Sequence, residues 1–314
     1  MTIQKQRLDQ FILDLHDASM YLSSQDFQQW TLKEVRRYID FDFAIWGAGD
    51  GRHRQLHHAT ILDQVNTLFN TWEPVKHIDP FANLVIGNTG QTWTTESVTN
   101  FKESIAFRQH WGQYHAQQMM STMEVDQKTG LHVFVTLARD QEKHRYTKEE
   151  CVLKNIITQH IFLAARHNDL HHLRALRTPA ALMDRGGILN AALTDFRALV
   201  VQEWGRWAEH KLPKHVTQSL WQTGSYRGRH IVLNAQTFNN RLLVRAGIAP
   251  QVHLSTREHE VAWAYVSGHT HKEVAKLLEI SPTTVRTHLA RVYQKLEITD
   301  KASLAFWLRE NTNN

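Results

Sequence analysis

The spacing of apolar residues changes period along the chain, and each change predicts an element. Between residues 1 and 40, Leu8, Phe11, Ile12 and Leu15, then Trp30, Leu32, Val35 and Ile39, recur at helical intervals, so this segment reads mainly as helix. The run Phe41-Asp42-Phe43-Ala44-Ile45-Trp46-Gly47 alternates and is rich in aromatics, the pattern of a strand, and Gly47 to Gly51 supplies turn residues for a hairpin. Val65, Leu68 and Phe69 lead as helix to Trp72. The stretch from His77 to Phe81 opens another short element, and Gly90 to Trp93 returns to extended chain. Phe107, Trp111 and Tyr114 lie four and three residues apart, which predicts three aromatics on one helix face. After Gly130 a strand rich in β-branched residues is expected over 131–139, then a helix from about 148 to 176.

That helix is apolar early, through Val152, Leu153, Ile156, Ile157 and Ile161, and polar later, through His167, Asn168, His171, His172, Arg174 and Arg177. This suits a connector leaving its domain. Thr178-Pro179 stops it, because the residue before a proline is pushed away from helical φ/ψ. Beyond it, residues 181–183 and 188–189 read as strands flanking an Asp184-Arg185-Gly186-Gly187 turn. An amphipathic helix carries Phe196, Leu199, Val200, Trp204 and Trp207, and paired strands follow at 226–233 and 241–245. The boundaries read from this pattern are 1–147, 148–177, 178–250 and 251–314. Ahead of residue 251 the order of elements predicts an α+β region, an antiparallel sheet packed against helices.

The last sixty residues carry the most specific pattern. Ser281 offers a side-chain oxygen to the first turn of a helix, and Pro282 suits its first position. Val285, Leu289, Val292 and Leu296 form one apolar stripe, leaving Arg286, Thr287, His288, Arg291 and Lys295 on the remaining surface. Between Ser281 and Leu296 there are two arginines, one lysine and no acidic residue, a local charge of +3. A short amphipathic helix at 272–278 precedes it across a tight turn, which makes a helix-turn-helix with the second helix positioned for a major groove.

The runs 254–261 and 268–275, then Ile280-Ser281, Thr284-Val285-Arg286-Thr287-His288 and Lys295-Leu296, resemble the LuxR/FixJ-type DNA-binding domain. The resemblance implies an all-α four-helix module whose third helix reads DNA and whose fourth, about 301–309, helps form a dimer. It places Arg286 and Thr287 where base-contacting side chains occur, and Lys272, Arg291 and Lys295 near the DNA backbone. Thr283, Thr284 and His288 complete the candidate DNA-binding set. Ala290 departs from the pattern, since some relatives carry a longer polar residue there. His288 has a second reading, as a residue that packs or caps within the helix.

Upstream, Asp79-Pro80, Gly90, Trp93, Phe107-Arg108, Tyr114, Leu137-Ala138-Arg139, Tyr146 and Glu149 resemble GAF-like input domains, and residues 178–248 resemble a small, degenerate PAS-like domain. Asp79-Pro80 and Trp93 are also similarly spaced in the acyl-homoserine-lactone-binding domains of quorum-sensing LuxR proteins. There the Asp takes the ligand amide. This chain departs from that pattern, with Asn70 and Asn66 nine and thirteen residues before Asp79, where those proteins place a Tyr and a Trp. The candidate ligand-binding residues are Trp46, Trp72, Trp93, Phe107, Trp111 and Tyr114 around Asp79 as polar anchor. Their alternative role is to fill the core.

Composition narrows the remaining choices. A charge of +5 on 314 residues supports a nucleic-acid partner without establishing one. The 21 histidines are scattered, and one cysteine, Cys151, leaves no zinc-like cluster and no disulfide framework. Gly47-Ala48-Gly49 opens no dinucleotide fingerprint, and there is no nucleophile elbow or phosphate loop. No haem, flavin, cofactor or metal is therefore expected, and no enzyme. No stretch approaches a membrane span and no secretory leader is apparent, which predicts a cytoplasmic protein. The expected function is a homodimeric regulator that binds double-stranded DNA and responds to a small-molecule effector in its N-terminal region. The alternative makes that region a protein-interaction and dimerisation module with no ligand.

Overall fold

The computed structural model describes residues 2–51, 53–127, 129–238, 241–249, 254–296 and 298–311, and for 2–7, 310 and 311 the backbone alone. The chain forms two compact units, Met1–Ala249 and Pro250–Asn314. In the first, helices α1 (Thr2–Tyr21) and α2 (Ser24–Val35) precede the hairpin β1 (Phe43–Asp50) and β2 (Gln55–Leu62). Short helices α3 (Leu68–Trp72) and α4 (Pro80–Gly87), strand β3 (Thr92–Thr94) and helix α5 (Ile105–Gln109) lead to β4 (Gln118–Val125), β5 (His132–Arg139) and the long helix α6 (Lys148–Ala175). A second set follows: β6 (Ala180–Met183), β7 (Leu189–Ala192), α7 (Thr194–Trp204), α8 (Lys214–Thr223), β8 (Ser225–Arg227), β9 (Ile231–Phe238) and β10 (Arg241–Ile248). These strands make two antiparallel five-stranded sheets, ordered β2-β1-β5-β4-β3 and β7-β6-β10-β9-β8.

Both faces of the first sheet are covered. Strand β1 therefore lacks a polar side: Ala44 and Trp46 pack with Phe11, Leu32 and Ile157 of α1, α2 and α6, while Phe43 and Ile45 pack with Leu68, Phe81 and Trp111. Such strands read as continuous apolar runs. Gly47 to Gly51 is not the turn expected from sequence. The strand continues to Asp50 through a bulge at Ala48/Gly49, and the reversal falls beyond it, where Arg54 has φ 50°. Close approach explains both strand glycines: a Cβ on Gly47 would stand 2.4 Å from the Phe134 ring, and one on Gly49 would stand 2.2 Å from the Gln55 carbonyl oxygen.

Helix α6 starts at a capping box, in which Thr147 accepts from the Glu150 N–H and Glu150 accepts from the Thr147 N–H. Its 28 residues span about 42 Å, enough to serve both sheets. Ile157 and Ile161 pack on the first, and Leu173 packs against Ala180, Leu182 and Leu243 of the second. Polar ties flank these contacts. Asn168 donates to the carbonyls of Ser19 and Leu22, and Asp169 receives a two-pronged bond from Arg241 at 2.7 and 2.9 Å. The other face of the second sheet packs on α7 and α8 through Phe196, Val200, Val216 and Leu220.

The second unit is helical: α9 (Thr256–Val266), α10 (His271–Leu277), α11 (Pro282–Leu296) and α12 (Lys301–Asn311). Each start carries a side-chain cap. Ser255 and Thr270 form capping boxes with Glu258 and Glu273, Ser281 accepts from the Thr284 N–H at 3.0 Å, and Asp300 accepts from the Ser303 N–H at 2.8 Å. Val261, Val274, Val285, Leu289, Val292, Leu304 and Leu308 form its core. Among the described residues, no helix is long and apolar enough to cross a membrane.

One buried charge yields a test. The Lys154 amine, on α6, is 1% exposed and donates to Thr122 Oγ1 at 2.7 Å and to the Val135 carbonyl at 2.8 Å, with no carboxylate paired to it among the described residues. Burial holds its pKa well below the ordinary 10.5. Between the folded value and the unfolded value the unfolded chain holds more protons, so raising pH across that window stabilises the fold. Melts of wild type and Lys154→Met between pH 7 and 10 should show a relative gain for wild type as pH rises. Parallel pH profiles would contradict a strained, desolvated amine.

Candidate nucleic-acid interface and apolar cavity

On α11 the packed stripe of Val285, Leu289 and Val292 turns the opposite side outward. Thr283, Arg286, Thr287 and Arg291 are exposed there, and Lys272 is exposed on α10. Thr284 is half-buried, its hydroxyl bonded to Ser281 at 2.8 Å, and the Thr287 hydroxyl donates to the Thr283 carbonyl at 3.1 Å. His288 is half-buried, and among the described residues its Nδ1 has no partner. Lys295 differs from Arg286, Arg291 and Lys272, which have no ion-pair partner among the described residues. Its Nζ lies 2.6 Å from Glu258 Oε2, so it closes an ion pair between α11 and the start of α9. That bond, and next the Ser255 N–H, hold the Glu258 carboxyl below its usual range. Arg257, which sequence reading passed over, donates to the Leu278 carbonyl at the end of α10 and pairs with Glu260 at 2.9 Å.

In the first unit, Asp79 is fully buried and its carboxylate is committed inside the protein. Oδ1 accepts from the N–H groups of Phe81 and Ala82 at 3.0 and 3.1 Å, capping α4. Oδ2 accepts from the indoles of Trp72 at 3.0 Å and Trp111 at 2.8 Å. A carboxylate offers about four acceptor sites, so Asp79 orients two tryptophans and presents no spare lone pair as an anchor.

Those two indoles form one wall of an apolar cavity of about 80 Å³. Two cross-strand rows make its floor: Ile45, Thr136 and Ser121, then Phe134 and Met123 over Gly47. Phe69, Phe81, Val85 and Ile86 close it from α3 and α4, and Arg54 and His132 line the hairpin end. Ser121 and Thr136 spend their hydroxyls on each other at 2.8 Å.

Of the seven candidates from sequence, the structure brings Trp72, Asp79 and Trp111 together and places the others elsewhere. Trp46 is on the opposite face of the sheet, with its ring centroid 6.2 Å from Phe27 and 6.3 Å from Phe162, because it alternates with Ile45 along β1. Trp93 donates to the Asn88 carbonyl, and Phe107 packs edge-on against Phe101. The expected single helix face for Phe107, Trp111 and Tyr114 does not form: α5 ends at Gln109, His110 breaks it at φ −134°, ψ −80°, and a 3₁₀ turn carries Trp111 to Tyr114. Behind the wall, the fully buried His110 bonds Thr71, which donates to the Tyr114 hydroxyl, and burial lowers the His110 pKa to about 4. Asn66 and Asn70 are exposed and do not line the cavity. Of the floor, Ile45, Phe134 and Thr136 lie on strands that the sequence predicts, whereas Ser121 and Met123 were missed because β4 was not predicted. Only the strand register sets Ser121, Met123, Phe134 and Thr136 side by side.

Asp79→Asn turns an amide N–H₂ toward donors on one side or the other. It should cost about 2–4 kcal/mol, measured by urea unfolding followed through tryptophan fluorescence.

Comparison with known proteins bears on the helical unit. Residues 252–308 match the family described as bacterial regulatory proteins, luxR family. The HTH-type transcriptional regulator MalT of Vibrio campbellii is 27% identical over 169 residues, 51% of this chain and 18% of that protein. The probable transcriptional regulatory protein NarL of Mycobacterium tuberculosis is 40% identical over 58 residues, 18% of this chain and 26% of its own length. The chain thus spans about a fifth to a quarter of these relatives. Among solved structures, the N-acylhomoserine lactone dependent LuxR family factor CepR2 from Burkholderia cenocepacia is 14% identical, with a TM-score of 0.40 over 50% of this chain and 92% of that one. Residues 252–308 form a LuxR-family helix-turn-helix domain, and the relatives matched are described as transcriptional regulators.

Proposed function

We propose that the chain is a cytoplasmic, homodimeric transcription regulator that binds double-stranded DNA through α11 and responds to a small molecule held in the first sheet's apolar cavity. The observation that carries the DNA reading is the exposed row of Thr283, Arg286, Thr287 and Arg291 on a capped, well-packed helix within a LuxR-family domain. In this reading Arg286 and Thr287 contact bases, while Lys272 and Arg291 hold phosphates and set the salt dependence. Thr284 and His288 sit at the margin of that surface. Lys295 acts first through Glu258, so its loss affects the domain's stability as well as its charge. A two-fold dimer would place two copies of α11 on inverted half-sites.

The proposed domains are a GAF-like sensor over 1–147, a connector helix over 148–177, a PAS-like domain over 178–250 and the DNA-binding domain over 251–314. The sensor reading rests on a cavity walled by Trp72 and Trp111, which a ligand would enter by moving indoles that Asp79 now holds. A signal must favour one arrangement of the protein over another to regulate it. The cavity's size favours the second reading, a protein-interaction and dimerisation module, since about 80 Å³ lies well below the roughly 300–1,000 Å³ of ordinary ligand sites.

Native mass spectrometry of protein from its own cells separates the two: a stoichiometric apolar molecule released on denaturation supports the sensor, and an empty dimer supports the interaction module. On DNA, Arg286→Ala should relax base preference at one position by about 1–3 kcal/mol, whereas Arg291→Ala should weaken all sequences alike and reduce the salt slope by about 1. Equal binding by both variants and wild type, measured by fluorescence anisotropy at several salt concentrations, would reject this face.

A further inference from the structure

A second cavity, of about 550 Å³, runs along β2, the outer strand of the first sheet. Helix α2 lines it with Gln25, Gln28 and Gln29, β2 with His58 and Thr60, and Asn66 closes it from the segment before α3. Arg241 reaches it from β10 of the other sheet. We propose that this cavity binds a neutral, hydroxyl-rich small molecule of the sugar or polyol class.

Three features lead to that class. First, four amides, those of Gln25, Gln28, Gln29 and Asn66, and the hydroxyls of Ser24 and Thr60 line the cavity beside His57, His58 and Arg241; amides and hydroxyls both donate and accept, which is the requirement of a ligand whose every hydroxyl does both. The Thr60 hydroxyl donates to Gln28 Oε1 at 2.5 Å, and Gln29 Nε2 donates to the Ile61 carbonyl at 3.2 Å. These bonds fix two amides along the wall. Among the described residues, Gln28 Nε2, Gln29 Oε1 and the amides of Gln25 and Asn66 have no protein partner.

Second, the charged and titratable groups that line the cavity are engaged within the protein or neutral: the His57 ring nitrogen meets the Asp184 carboxylate at 2.7 Å. The guanidinium of Arg241 is matched by the Asp169 carboxylate and also donates to Ser24 at 3.1 Å. Burial, reinforced by the Arg241 charge, lowers the His58 pKa to about 4, so its imidazole is neutral near pH 7. Third, Leu56 and Phe69 give the cavity an apolar strip against which the C–H face of a ring can lie. These two side chains are the lining that it shares with the apolar cavity. The binding chemistry is otherwise separate and does not depend on the DNA-binding reading. Because its walls come from β2 and β10, an occupant would tie the two sheets to each other.

The test uses the full chain, with D-glucose, sucrose and myo-inositol as probes at millimolar concentration, read by saturation-transfer NMR. Saturable binding of at least one is expected. Asn66→Leu, a substitution on the exposed wall, should weaken it about tenfold, the loss of roughly one hydrogen bond, and Gln25→Leu, whose amide likewise has no protein partner among the described residues, should do the same, with both variants melting as wild type does. Binding by none of the three overturns the proposal, as does binding that both folded variants retain. Tighter binding of glucose 6-phosphate than of glucose overturns the neutral class.

Discussion

A sheet covered on both faces leaves no solvent for the polar groups between its layers, and much of the first unit follows from that constraint. Each buried polar group has to find its partner inside. Arg139, 1% exposed, does so by donating to the carbonyls of Asp40 and Arg145 and to Glu150 at 2.6 Å, with its guanidinium over the Tyr146 ring. Glu150 is also the capping residue of α6, so one interaction fixes the end of β5 and the start of the long helix together. Lys154, one turn further on, enters the same layer, where a hydroxyl and a carbonyl accept from it.

The same rule shapes the cavity on the other face. Asp79 enters a layer of aromatics and is tolerable there because two backbone N–H groups and two indoles surround it. The carboxylate thereby becomes part of the wall's framework. Displacing either indole would therefore disturb the cap of α4 as well as the packing.

The two sheets are joined by more than chain connectivity. Besides α6, the His57 ring nitrogen meets Asp184 at 2.7 Å where both are buried, and Asp184 also accepts from the N–H groups of Gly186 and Ile188. The turn predicted at 184–187 is thus anchored to β2 of the first sheet. Together with Arg241–Asp169 it places polar, desolvated contacts at the junction, where truncating one partner leaves the other unpaired.

The sequence by itself determined the helical unit in detail, because helix spacing, caps and the apolar stripe are all encoded within a few residues of one another. Ser281, Pro282, Val285 and Leu289 suffice to orient Arg286. It also determined α6, the Asp184 turn and the antiparallel α+β character of the first unit. Only the tertiary structure decided which aromatics meet. The face to which Trp46 turns depends on which side of β1 each helix covers, the break at His110 separates Phe107 from Trp111, and β4, buried on both sides, carries no alternation to reveal it. The engagement of Lys295 by Glu258 was hidden for the same reason: the two stand 37 positions apart, and local periodicity carries no information at that range.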